Sequence, residues 1–279
     1  MFRNTKRSFF SHIFAALSVL TLALVACNLS AGVPTQAPVE APTDLVITEA
    51  PTQVPTDDPA QGTVAVRIDV SGVAQDFTSQ VIEAVSPSAD GPWWEAMPQY
   101  TLLTLQGYPT PAHLLETQIF VFPVEGLSVN ESTAGMVESL QALLQSQQAG
   151  DRMPYLPLYN AAQVMHAQVS YLDFKNGRGV RYLTQFDQAP LPINNYELHY
   201  TFQGLTSDGK YYVAAVLPVN LPALPMDASV DLNNPPANFT EDFPTYLSDT
   251  VDMLNGQPAG AFSPDLSALD AMIESLEIK

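Results

Sequence analysis

The sequence predicts an α+β fold: an antiparallel β-meander covered on one face by helices, following a signal peptide and a disordered tether. Three observations predict it. Residues 165–219 alternate apolar and polar side chains through successive short runs, the period of half-buried strands. Stretches near 130–148, 243–254 and 263–276 place their apolar residues at helical spacing. Residues 1–62 show neither pattern over any length suited to a packed domain.

The chain opens with Arg3, Lys6 and Arg7 and no acid, followed by a mostly apolar run, Ile13 to Ala26. A basic n-region and a short h-region are the marks of a secretory signal peptide, and the run is shorter than the roughly 20 residues that span a bilayer. It ends in Leu24-Val25-Ala26-Cys27, which resembles a bacterial lipobox. That resemblance implies a diacylglyceryl group on the Cys27 thiol and cleavage of residues 1–26. Cys27 is the only cysteine, so no internal disulfide forms. Residues 27–62 carry prolines at 34, 38, 42, 51, 55 and 59, and Pro34-Thr35-Gln36-Ala37-Pro38 recurs as Pro51-Thr52-Gln53-Val54-Pro55. Proline removes the N–H that helices and sheets use, so this linker is expected to be a polyproline-like spacer reaching on the order of 100 Å. Its Thr-Pro content also suits a glycosylated stalk.

Loss of residues 1–26 removes three of the ten basic residues and no acid, leaving seven against 29 and a formal charge of −22. No lysine lies between Cys27 and Phe174. Such a surface repels phosphate backbones and excludes nucleic acid as a partner; it suits solubility, or basic partners. Residues 63–279 are long enough for one sizeable core or for two small lobes sharing an interface, and are expected to form a single α+β domain.

Within that domain, Val64, Val66, Ile68 and Val70 alternate with Arg67 and Asp69, which predicts a strand over 63–70. Residues 86–98 predict a loop, and strands follow near 100–105 and 117–124. Met136, Val137, Leu140, Leu143 and Leu144 share one face of a helix over 130–148, with Gly150 as its terminator. Asn176-Gly177 between two strand-like runs predicts a two-residue hairpin. That register sets Lys175 opposite Arg178, Tyr171 opposite Tyr182, Val169 opposite Thr184 and Ala167 opposite Phe186. Residues 196–203 and 211–219 complete a four-stranded meander with one wet face. Phe243, Leu247, Val251 and Leu254 predict a helix ended by Asn255-Gly256. Ser263-Pro264 predicts the N-cap and first residue of the last helix.

The sequence holds no nucleophile elbow, zinc signature, P-loop or dinucleotide fingerprint. No cofactor and no metal are expected. Asp227, Asp231, Asn233 and Asn234 offer oxygens of the kind calcium uses, without the spacing of a calcium loop. Three ligand-binding candidates share the predicted wet face: Arg181, Glu197 and His199, beside Gln203. Trp93 and Trp94, in the 86–98 loop, suit contact with a sugar or a partner.

The runs from Asn176 to Phe186 and from Tyr200 to Val213, with the helix opened by Ser263-Pro264-Asp265-Leu266, resemble a group of uncharacterised bacterial envelope lipoproteins. The resemblance implies a compartment and no activity. The expected protein is therefore held to the cell membrane by an N-terminal lipid (palmitate-bearing, on its extracytoplasmic face), and its partners are an envelope protein or a glycan. Its domain is expected to be a non-enzymatic binding or structural module; the alternative is an extracytoplasmic hydrolase with a carboxylate/His site.

Overall fold

A computed structural model describes residues 64–279 apart from 89–90, 110–112 and 232 and the side chain of Trp93. The leader, Cys27 and the linker lie outside the described residues. In chain order the strands are β1 (Val66–Arg67), β2 (Asp76–Ile82), β3 (Tyr100–Gln106), β4 (Gln118–Pro123), β5 (Ala162–Phe174), β6 (Gly177–Asp187), β7 (His199–Thr206), β8 (Tyr211–Pro218) and β9 (Glu277–Ile278). The helices are α1 (Val124–Leu127), α2 (Glu131–Ser146), α3 (Phe243–Asn255) and α4 (Leu266–Glu274). Seven strands form one antiparallel sheet in the order β2-β3-β4-β8-β7-β6-β5. β1 and β9 pair separately, joining the two ends of the domain. The fold is α+β, and β5 to β8 form the meander.

Helices cover both faces of this sheet, where the sequence predicted one. On one face Leu183, Tyr200, Phe202, Val213 and Ala215 pack with Tyr246 and Leu254 of α3 and with Leu266, Leu269 and Ile273 of α4. On the other, Val180, Tyr182, Tyr212 and Ala214 pack with Val137, Leu140 and Leu143 of α2 and with Tyr155 and Leu156. β7 is accordingly buried at every position. Burying each large α2 side chain contributes about 1.5–3 kcal/mol before ordering entropy is charged against it. Asn130 caps α2 by accepting from the Ser132 N–H at 2.9 Å. The helix ends at Gln147, in a left-handed conformation with φ 52°, before the expected Gly150.

The hairpin forms one residue earlier than predicted. The loop is Lys175-Asn176, Phe174 pairs with Gly177, and Tyr171 pairs with Val180. Two contacts explain the slip. A Cβ at Gly177 would collide with the Phe174 ring and the Leu205 carbonyl, so this glycine serves close approach within the ladder. Asn176 sits in the turn and its side chain grips β9: its Nδ2 donates to the Ile278 carbonyl, and its Oδ1 accepts from the Ile278 N–H at 3.0 Å. The slip displaces partners by two positions, so Tyr171 and Tyr182 still share a face.

A bulge between Ala167 and Ser170 then changes the register again. Ala167 pairs with Leu183 and turns to the α3/α4 face, against the expected pairing with Phe186, and His166 takes the place expected for Val169 opposite Thr184. Gln168, at the bulge, has φ 54°, a conformation that costs a non-glycine residue about 1–2 kcal/mol. The docked end of α3 holds it there. Gln168 N–H donates to Asn255 Oδ1 at 2.7 Å, and its Nε2 donates to the carbonyls of Leu254 and Gln257 at 2.8 and 2.9 Å.

Three smaller expectations are also corrected. β1 covers two residues of the predicted 63–70 strand, because β9 offers it only two partners. β2, an edge strand reading DFTSQVI, shows no clean alternation and was not predicted. α4 starts after Asp265, whose carboxylate accepts from Ser267 N–H at 2.7 Å; Ser263 is held in a β-bridge to Asn220 and cannot cap a helix.

Candidate functional site

The predicted wet face is dry because residues 153–159 lie over it. Pro154 and Pro157 keep this stretch out of regular structure, and Met153 to Leu156 are buried. Gln203 anchors it. Its Oε1 accepts from Leu156 N–H at 2.9 Å and from the Tyr212 hydroxyl at 2.7 Å, while its Nε2 donates to the Leu156 carbonyl at 3.1 Å and Thr201 Oγ1 at 2.8 Å. Tyr182 adds a 2.8 Å bond to the Pro154 carbonyl.

His199 belongs to the same seam and is 1% exposed. A carbonyl can only accept, so Nδ1 carries the proton and donates to Glu197 O at 3.0 Å. Nε2 then accepts from the Tyr155 hydroxyl at 2.9 Å. Burial pushes the imidazole down to about 3, with His113 adding to the effect and the Glu197 carbonyl opposing it. His199 is a neutral structural residue at physiological pH.

Arg181 lies on the opposite face, which corrects its expected grouping with His199. It pairs with Phe202 across β6 and β7 and so points with Tyr200 towards α4. Its Nε lies 3.1 Å from Asp270 Oδ1, which also accepts from the Tyr200 hydroxyl at 3.0 Å. Its Nη1 donates to the Gln168 carbonyl at the bulge. These partners use the guanidinium to join sheet, bulge and helix.

Glu197 stands in the turn before β7 and meets neither residue through its side chain. Its Oε2 accepts from Asn194 Nδ2 and, at 3.4 Å, from Gln185 Nε2, which also donates to Asp187 Oδ2 at 2.9 Å. Two carboxylates thus share one amide, and no described Lys or Arg pairs with either. Asp187 Oδ1 is buried without a hydrogen-bond partner. Burial raises the Asp187 carboxyl to about 6, partly offset by the Gln185 bond and reinforced by Glu197.

Trp93 and Trp94 sit in a short 3-10 turn, Trp93–Glu95; Trp94 is half-buried, and the Trp93 side chain lies outside the described residues. Asp227 and Asp231 spend carboxylate oxygens on their own loop, accepting from Ser229 and Asn233 N–H at 2.8 and 2.9 Å. Among the described residues no three His, Cys, Asp or Glu side chains converge as a metal site would require.

The strongest binding geometry comes from residues that the sequence does not join into a site. A cavity of about 480 Å³ is lined by Met136, Arg152, Met153, Tyr155, Leu158, Tyr159, Asn160, Ala161, Ala162, Gln163 and Phe186. Its volume falls in the range of small-molecule sites, roughly 300–1,000 Å³. Tyr155, Tyr159 and Phe186 form one aromatic wall, with ring centroids 4.5 to 5.5 Å apart. Contacts this close leave no room between the rings, so a ligand meets the wall and not a cage. Among the described residues Arg152 is the only charged one lining it. The available signal was Tyr155 and Tyr159 spaced four apart in a proline-punctuated stretch, where no periodicity assigns a face. Comparison of the chain with protein-family models, curated proteins and solved structures finds no match.

Proposed function

We propose that this chain is an exported, lipid-anchored binding module whose ligand site is the aromatic cavity under residues 153–159. The cavity carries the proposal: it joins a small-molecule volume to a preformed apolar wall, built on strand β6 and a segment bonded to β7 at both ends of a glutamine amide. A rigid wall binds without first ordering itself. The Leu24-Val25-Ala26-Cys27 box and the resemblance to envelope lipoproteins support the anchor. Two measurements test this. Cys27→Ser is expected to leave the membrane fraction or to remain unprocessed; unchanged fractionation and maturation refutes the anchor. A fragment library screened by protein-observed NMR is expected to shift Tyr159 and Phe186 signals; hits that ignore both refute the site.

The Asp187–Glu197 pair favours a second reading, a hydrolase using paired carboxylates. Neither residue lines the aromatic cavity. Turnover of a generic glycoside or ester substrate that vanishes in Asp187→Asn would establish it.

A further inference from the structure

Resting on that assignment of the cavity, we propose that its ligand is a small organic anion: an apolar, ring-sized body carrying one carboxylate. Electrostatic contrast singles the site out. Acids outnumber bases 29 to ten in the whole sequence, and the basic groups Arg67, Arg181, Lys210 and Lys279 are each within 4 Å of one. Lys175 and Arg178 also make no ion pair among the described residues, but Arg178 donates to the Leu144 carbonyl at 3.0 Å and neither lines this cavity; Arg152 differs from both. Among the described residues it makes neither an ion pair nor a side-chain hydrogen bond, and no acid lines the cavity beside it. A site of single positive charge therefore opens in a strongly negative chain.

Each part of the ligand follows from a part of the wall. Tyr159 and Phe186 are half-buried, and with Met136, Met153 and Leu158 they offer rings and thioethers to an apolar body. A cation would meet Arg152 at the rim with no carboxylate to offset the repulsion. A neutral body would leave the guanidinium without a partner. A carboxylate matches its planar fork and gains charge-assisted bonds. The chain's net charge opposes any anion at long range, but that field decays over about 8 Å at physiological salt, whereas Arg152 acts at contact.

The test compares 4-phenylbutyrate with its neutral isostere 4-phenylbutanamide by calorimetry, on the chain from Asp58 onward, a compact unit with its own core. The acid is expected to bind about tenfold more tightly than the amide at low salt, a gap that narrows as salt rises. Arg152→Gln, at an exposed position, is expected to fold normally, to bring the acid down to the amide's affinity and to leave the amide unchanged. Arg152→Lys is expected to keep most of the preference. Equal binding of acid and amide by the wild type overturns the anion proposal and leaves the cavity a binding site. An Arg152→Gln variant that keeps the full preference overturns it too. Failure of both compounds to bind at about 10 mM overturns the cavity assignment itself.

Discussion

Asp187→Asn is expected to change the shape of the stability–pH profile, because Asp187 and His199 oppose each other. His199 titrates near 6.5 when unfolded and is pushed down to about 3 in the fold. Its contribution is present above pH 6.5 and lost as pH falls towards 3, at about 1.4 kcal/mol per unit. Asp187 runs the other way. Its carboxyl rises from 3.8 to about 6, so its contribution is full below pH 3.8 and lost as pH rises through 6. The loss amounts to about 3 kcal/mol if solvent does not screen it. At 5% exposure Asp187 is well shielded, but half-buried Glu197 lets water approach, and about 1–3 kcal/mol is the working range. Between about pH 4 and 6 the two slopes cancel.

Asparagine keeps an oxygen for Gln185 and places an N–H₂ where Oδ1 now has no partner. Urea unfolding of wild type and variant at several pH values gives the difference curve, in which His113, His166 and His199 drop out as common terms. The two proteins should be equally stable near pH 4. The variant should be more stable by about 1–3 kcal/mol at pH 7.5, and it should weaken more steeply than the wild type between pH 6 and 4. Parallel profiles, or a variant weaker at pH 7.5, would refute the assignment of a strained carboxylate.

Asp270→Ala should cost about 3–5 kcal/mol by leaving the buried Arg181 guanidinium without its counter-charge, and the double variant Arg181→Met/Asp270→Leu should recover most of it in chemical denaturation. Gln203→Leu should strip both backbone bonds from Leu156, costing about 2–4 kcal/mol, with hydrogen exchange at the Leu156 amide rising by more than the global loss explains. Gly179→Ala should destabilise by at least about 2 kcal/mol, since its Cβ would lie 2.5 Å from the Gln203 carbonyl; a thermal midpoint equal to wild type would contradict that packing.

The elements were legible where one local force chose them. α2 and α3 follow their apolar stripes and polar caps, and the meander follows alternation and turn residues. Register was less legible, because Gly177 and Asn176 answer to Leu205 and to β9, which lie far along the chain. The bulge at Gln168 was invisible for the same reason: its unusual φ is held by the end of α3, 87 residues later. Alternation across residues 162–174 cannot reveal a bulge that exchanges the faces midway.

The candidate site was illegible for a deeper reason. Polar side chains alternating with apolar ones imply solvent only if no protein group arrives to satisfy them. Gln203 and His199 are buried because residues 153–159 bring a backbone N–H, a carbonyl and a phenol to meet them, and Thr201 is satisfied within the sheet by the Ala215 carbonyl and by Gln203. That segment has no pattern of its own; the polar face of β7 is its template. Once satisfied, these groups favour one docking position over its neighbours, since a shift of one residue would orphan several buried donors at about 1–3 kcal/mol each. The same bonds fix Tyr155 against Phe186 and so create the wall of the cavity. Of the residues that looked reactive in sequence, His199 holds the wall in place, and most of those that face the cavity looked like loop.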